Sequence, residues 1–182
     1  TVSMTQDRNL TASFSLRSYN LTISKSKGGA VSDLAGSYDH GSRINLLATP
    51  SEGYVFVRWL GDGIVNPTTL TTSLEINHDR TISAQFAKKT YRLEVSATEG
   101  GSVSGSGTFP HGTSQPVTAT PHPGYLFTGW SGTGIAEIAT PKTTVSMTQD
   151  RNLTASFSLR SYNLTISKSK GGAVSDLAGS YD

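Results

Sequence analysis

Two tryptophans are the residues best suited to act on something outside the chain. Trp59 and Trp130 each close a Gly-Tyr-x-Phe-x-x-Trp string, running from Gly53 and from Gly124. An exposed indole in such a place could stack on a sugar ring. Within each string Tyr and Phe alternate and so share one face of a strand, whereas Trp falls one residue out of step, as a β-bulge or a strand end would produce. A small module needs its largest side chains as core volume. That reading is preferred for Tyr54, Phe56, Trp59, Phe86, Tyr125, Phe127, Trp130 and Phe157. Ligand contact at Trp59 and Trp130 is the alternative.

The polar candidates read as turns. His40-Gly41 and His111-Gly112 are turn dipeptides before a strand, and His78 and His122 have no counterparts, so no convergent metal or catalytic set forms around them. Asp79-Arg80 and Asp150-Arg151 read as Asp in a turn followed by Arg at a solvated strand entrance, with an ion pair as the alternative. Gly61-Asp62-Gly63 offers one carboxylate, but Thr133 holds the matching place, and no Asp-x-Asp-x-Asp loop for calcium occurs. Neither Gly105-Ser106-Gly107 nor Gly132-Thr133-Gly134 precedes a helix whose N-terminus could hold phosphate. No Gly-x-Ser-x-Gly elbow is present. Asn9, Asn20, Asn152 and Asn163 begin Asn-Leu-Thr, a glycosylation spacing that falls on predicted strands and is common by chance in Thr-rich sequence. Lys142 is the single Lys of residues 91–161 and lies in a polar stretch, which disfavours an isopeptide cross-link that would bury its charge. The expectation is no enzyme, no cofactor and no metal.

Composition narrows the class further. The 182 residues carry 15 Lys and Arg against 13 Asp and Glu, a net charge of +2, which is no electrostatic footprint for nucleic acid. Hydrophobic residues reach only 35%, so thin β-rich modules fit better than one thick core. There is no Cys, hence no disulfide and no thiol chemistry. Tyr54-Val55-Phe56-Val57 is about the longest apolar cluster, far short of the ~18 residues of a membrane span.

Internal repetition organises the chain. Residues 1–39 recur without change as residues 144–182, and within that long period lies a shorter one of about 71 residues. Type A covers residues 19–90 and type B residues 91–161. Matching landmarks are Gly28-Gly29 with Gly100-Gly101, His40-Gly41 with His111-Gly112, Gly53-Tyr54 with Gly124-Tyr125, Trp59 with Trp130, Asp79-Arg80 with Asp150-Arg151, and Phe86 with Phe157. On this phasing residues 1–18 are the tail of a type B module and residues 162–182 the head of a type A module. The opening at Thr1, in mid-pattern, reads as a window on a longer array.

Apolar and polar residues alternate with period two, as in Leu153-Thr154-Ala155-Ser156-Phe157, and Gly- or Pro-bearing turns separate the runs. The spacing predicts strands over 91–97, 101–105, 115–120, 125–130, 142–147 and 152–158. Residues 132–141, and 61–70 in type A, fit a short helix or an irregular loop. The expected class is all-β, in tandem small modules joined end to end. The bridges 87–90 and 158–161 lack Gly and Pro and do not behave as flexible linkers. Neighbouring modules in the chain are thus expected partners, because a domain this small is marginal alone.

The string Tyr-x-Leu-x-Val-Ser, Gly-Gly-Ser-Val-Ser-Gly-Ser-Gly, His-Gly, Ala-Thr-Pro, Gly-Tyr-Leu-Phe-Thr-Gly-Trp-Ser-Gly and Leu-Thr-Ala-Ser-Phe over residues 91–158 resembles the divergent internalin-B-type B-repeat family. Type A departs from it with Arg58 in place of the second Gly. The resemblance implies extracellular bacterial modules in large secreted or surface-anchored proteins, often adhesins, serving as stalks or spacers, with no catalytic residues. It also implies a compact β-grasp-like fold with some helix, whereas the alternation argues for more strand and less helix. Three roles follow as expectations: a stalk or fibre segment, a weak glycan or protein binder acting by avidity, and a filament subunit that exchanges strands through residues 1–18 and 162–182.

Overall fold

The computed structural model describes residues 4–167, 170–171 and 179–181. The chain divides into two compact units, Thr1–Ala87 and Lys88–Asp182. In the first, strands β1 (Ser18–Lys25), β2 (Gly29–Val31), β3 (Gly36–Asp39), β4 (Ser42–Pro50), β5 (Tyr54–Leu60), β6 (Thr71–Ile76) and β7 (Arg80–Lys88) form two sheets. Their orders are β3-β1-β7-β5 and β2-β4-β6. The second unit repeats the plan with β8 (Thr90–Ala97), β9 (Gly101–Ser104), β10 (Gly107–Pro110), β11 (Thr113–Pro121), β12 (Tyr125–Ser131), β13 (Lys142–Met147) and β14 (Arg151–Leu159). Its sheets run β10-β8-β14-β12 and β13-β11-β9. A short ladder pairs β15 (Tyr162–Leu164) with β16 (Gly179–Tyr181).

Alternation builds the core. Leu21, Ile82, Ala84 and Phe86 project inward from the first sheet of unit 1, and Ile44, Leu46, Ala48, Leu74 and Ile76 from the second, meeting in one buried cluster. Leu93, Leu153 and Ala155 meet Val117, Ala119, Val145 and Met147 in the same way in unit 2. The first and last strands of each module are neighbours and run parallel, β1 with β7 and β8 with β14. The other pairings for which a register is defined are antiparallel.

Several expectations change. No helix occurs among the described residues, so none is long and apolar enough to cross a membrane. Residues 61–70 and 132–141 are irregular loops, each carrying one isolated bridge to its sheet, Ile64 to Leu74 and Ile135 to Val145, with further hydrogen bonds such as Val65 N to Ser73 O and Ala136 N to Thr144 O. β10 and its counterpart β3 were not foreseen, because Gly107-Thr108-Phe109-Pro110 has one apolar residue and turn residues at both ends; it forms by lying against β8, with Phe109 packed on the core. The join is shorter than the four residues expected, since β7 ends at Lys88 and β8 begins at Thr90. Residues 4–17 form no strand, so Asn9 does not lie on one. Their exact copy does, because β14 is held between β8 and β12.

Candidate functional site

Both tryptophans are held by the same local machinery. In unit 2 the register of β12 against β14 shifts between Phe127 and Gly129, the bulge that puts Trp130 on the inner face. The following loop then closes over the indole. Trp130 donates its backbone N–H to Ile138 O at 2.8 Å and its Nε1–H to Thr140 O at 3.0 Å. Trp59 does the same with Pro67 O at 2.7 Å and Thr69 O at 3.0 Å. Phe127 packs at a tilt on Trp130 and edge-on to Phe157, as Phe56 does on Trp59 and Phe86. Trp59 is 2% exposed and Trp130 5%. The alternative of ligand contact at these residues is corrected on that ground: a buried indole whose N–H is already bonded has no face to offer a sugar ring. Phe86 is buried with them, while Tyr54, Phe56, Phe127 and Phe157 are half-buried against the two cores and Tyr125 is half-buried.

Arg80 does not sit at a solvated strand entrance. Its side chain is 5% exposed, and it donates through Nη1 to Asp62 Oδ2 at 2.5 Å and through Nη2 to Glu75 O at 3.1 Å and Asn77 Oδ1 at 2.8 Å. Gly63 lies directly against it; a Cβ there would fall 2.6 Å from Nη1. Arg151 plays the part in unit 2, donating to Ser146 O, Thr133 Oγ1 and Thr148 Oγ1. The neighbouring Asp is not its ion partner. Asp79 Oδ1 accepts from Asn20 N, and Asp150 Oδ1 from Arg92 N, each at 2.8 Å. The Arg pair thus braces the loop over the tryptophan from below. The sequence hid this because the partners come from residues 62, 75 and 77, while Arg80 itself, at the start of β7, is flanked by polar His78, Asp79 and Thr81.

Asp62 also meets His78 Nε2 at 2.9 Å. That hydrogen bond, with the Arg80 charge behind it, holds the Asp62 carboxyl below the usual carboxylate range. A depressed folded pKa contributes stability above the ordinary value and loses it as pH falls through the folded one. Asp62→Asn is therefore expected to lower the urea midpoint of unit 1 at pH 7, by an amount that shrinks as pH falls below the ordinary Asp range and through the lowered folded-state pKa. Unit 2, with Thr133 at that place, is expected to show no such acid-dependent step. The two transitions can be followed through Trp59 and Trp130 separately, by using Trp→Phe variants.

The remaining candidates do not converge. His40 and His111 sit in turns and pack on Tyr19 and Tyr91, ring centroids 5.9 Å apart in both cases. Lys142 is exposed at the start of β13. Among the described residues no three His, Cys, Asp or Glu side chains group as a metal set would. A shallow depression on the outer face of unit 2 is lined by Arg92, Glu94, Ser96, Ser106, Thr108 and Asn152, with Arg92 paired to Glu94 at 2.6 Å. Type A has Asn20, Thr22 and Ser24 at the matching places of β1, so the two module types do not share this lining.

A family model described as the divergent InlB B-repeat domain matches residues 19–90 and again residues 91–161. Neither the curated proteins nor the solved structures contain a match to the chain.

Proposed function

The chain belongs to the divergent InlB B-repeat family, and from that premise we propose that it is a spacer segment of a bacterial cell-surface or secreted protein, a stalk whose reach is set by the number of modules. The family points to a repeat-containing surface protein in general. The stalk role is our reading, and one observation carries it: what the two modules share is frame, and what differs is surface. The shared residues close loops and fill cores, as Trp59 and Trp130, Arg80 and Arg151, and Phe86 and Phe157 do. Outward positions change freely, with Val57 against Thr128, Arg58 against Gly129, and Asn20 against Arg92. A module that bound a ligand in each copy would keep a common face, whereas one that supplies length needs only its frame. A single residue, Lys89, lies between the last strand of one module and the first of the next, too short to act as a flexible linker.

Small-angle scattering on residues 19–161, beside a protein with twice as many modules, tests this. An extended pair is expected to give a radius of gyration of about 19 Å, against about 14–15 Å for a compact body of that length, with maximum dimension growing in proportion to module number. A compact pair would overturn the stalk. A second reading, strand exchange between chains, is favoured by residues 4–17, where Leu10 and Phe14 are 77% and 95% exposed although their copies Leu153 and Phe157 are packed. It would show in scattering on the full chain as dimensions that rise with concentration, a rise absent once residues 1–18 are removed.

A further inference from the structure

We infer that each module is a mechanical clamp, in which the first and last strands carry tension along the chain as one sheared seam; the inference rests on the stalk reading. In a covalent array, load enters a module at the N-terminal end of its first strand and leaves at the C-terminal end of its last. Those two strands are neighbours and parallel. Pulled from opposite ends, parallel neighbours slide along each other, so every bond between them is strained at once. An antiparallel hairpin loaded at its open end gives way one pair at a time. Leu21–Lys25 lie against Arg80–Ala84 in unit 1, and Leu93–Ala97 against Arg151–Ala155 in unit 2.

The seam is lengthened by side chains at both ends. At the start, Asp79 and Asp150 accept the N–H of Asn20 and of Arg92. At the far end of unit 1, Ser26 N donates to Ala84 O at 3.0 Å, and Phe86 N donates back to Ser26 Oγ at 2.8 Å. Unit 2 builds the same latch from a different residue. Thr98 N donates to Ala155 O at 2.9 Å, and Phe157 N to Thr98 Oγ1 at 3.1 Å. Ser96 Oγ adds a bond to Leu153 O at 3.0 Å in the middle. One face of the seam is closed to water by Leu21, Ile82 and Ala84, or by Leu93, Leu153 and Ala155. Water that cannot reach a bond cannot replace it while it stretches. The latches and the parallel pairing both recur in the two modules, at the pair that bears the load.

Single-molecule pulling on the full 182-residue chain tests the clamp. The chain has no Cys, so exposed handle pairs can be introduced uniquely. Thr90→Cys with Arg160→Cys loads the β8–β14 seam from opposite ends and releases up to roughly 240 Å of chain on unfolding. Thr90→Cys with Gln149→Cys loads the same seam from one end. Forced unfolding reports the barrier to unfolding rather than equilibrium stability. At equal loading rate the first geometry is expected to need at least about twice the force of the second. Thr98→Val, which removes the latch at the end of the seam far from residues 90 and 149, is expected to lower the force in the first geometry and leave the second unchanged. Equal forces in the two geometries, or a latch variant that weakens both alike, would overturn the clamp. Either result stands apart from the stalk reading, which scattering decides without any force applied.

Discussion

Replacing Trp130 by Ala is expected to unfold unit 2 or strip it of a large share of its stability, while leaving unit 1 as it is. Truncating a buried Trp costs about 3–5 kcal/mol, and a module of some 70 residues has a total stability of roughly 4–10 kcal/mol. The loss goes beyond volume. Phe127 packs on the indole, and Thr140 O loses the N–H that ties residues 132–141 down. The two units have separate buried clusters, so the damage stays in one of them. The variant leaves Trp59 as the only indole. Its emission is expected to remain native and to report a urea midpoint for unit 1 close to that of the parent, while about half of the β circular-dichroism signal disappears or melts tens of degrees earlier. A domain of this size shifts by about 4–8 °C for each kcal/mol, which makes the effect large on a thermal scan. A single unchanged transition in the Trp130→Ala protein would refute the supporting role of the indole.

The aromatic frame was legible because it depends on local rules. Tyr and Phe in step and Trp out of step leave a bulge or a strand end over seven residues, and the structure has a bulge, between Phe127 and Gly129. Strand existence followed from alternation. Strand partnership did not: β1 and β7 are brought together from about 60 residues apart, and nothing in Leu21-Thr22-Ile23 names its neighbour. Residues 132–141 were ambiguous between helix and loop. Gly132 and Gly134 hold φ of 128° and 80°, outside any helical turn, and so settle it for loop. The burial of Arg80 was not legible, since its acceptors lie in two places, Asp62 after β5 and Glu75 with Asn77 at the end of β6, and its sequence neighbours are polar. The duplicated segment makes the general point. Residues 8–16 and 151–159 are identical, yet only the second set is a strand. Sequence pattern sets which face is apolar; the partner strands decide whether a strand exists at all.

Gly100→Ala is the second large expected effect, and it acts on a contact that no pattern of apolar residues marks. Gly100 has φ of +97°, which an L-residue adopts only with strain of about 1–2 kcal/mol. A Cβ built there would lie 2.1 Å from Tyr125 Cδ1 and 2.4 Å from Cε1, so the ring must move as well. It has little room to do so. Gly100 O accepts from His122 N at 2.9 Å, and His122 O accepts from Tyr125 N at 3.0 Å, which ties the glycine and the tyrosine through one short turn. Overpacking of that kind adds about 1–3 kcal/mol. The expected sum is about 3 kcal/mol off unit 2, read as a lowered urea midpoint with Trp130 as probe. Gly28→Ala is expected to do the same to unit 1, where φ is +111° and Tyr54 Cδ1 lies at the same 2.1 Å. Gly112 separates the two causes. Its φ is +77° with nothing within 4 Å of a Cβ, so Gly112→Ala carries the strain alone and should cost about 1–2 kcal/mol. If the ring contact supplies the remainder, the Gly100→Ala penalty should fall to the Gly112→Ala value in a Tyr125→Ala background, a coupling that a double-mutant cycle measures directly. An undiminished penalty there would assign the whole effect to the backbone and remove Tyr125 from the explanation of why this turn requires glycine.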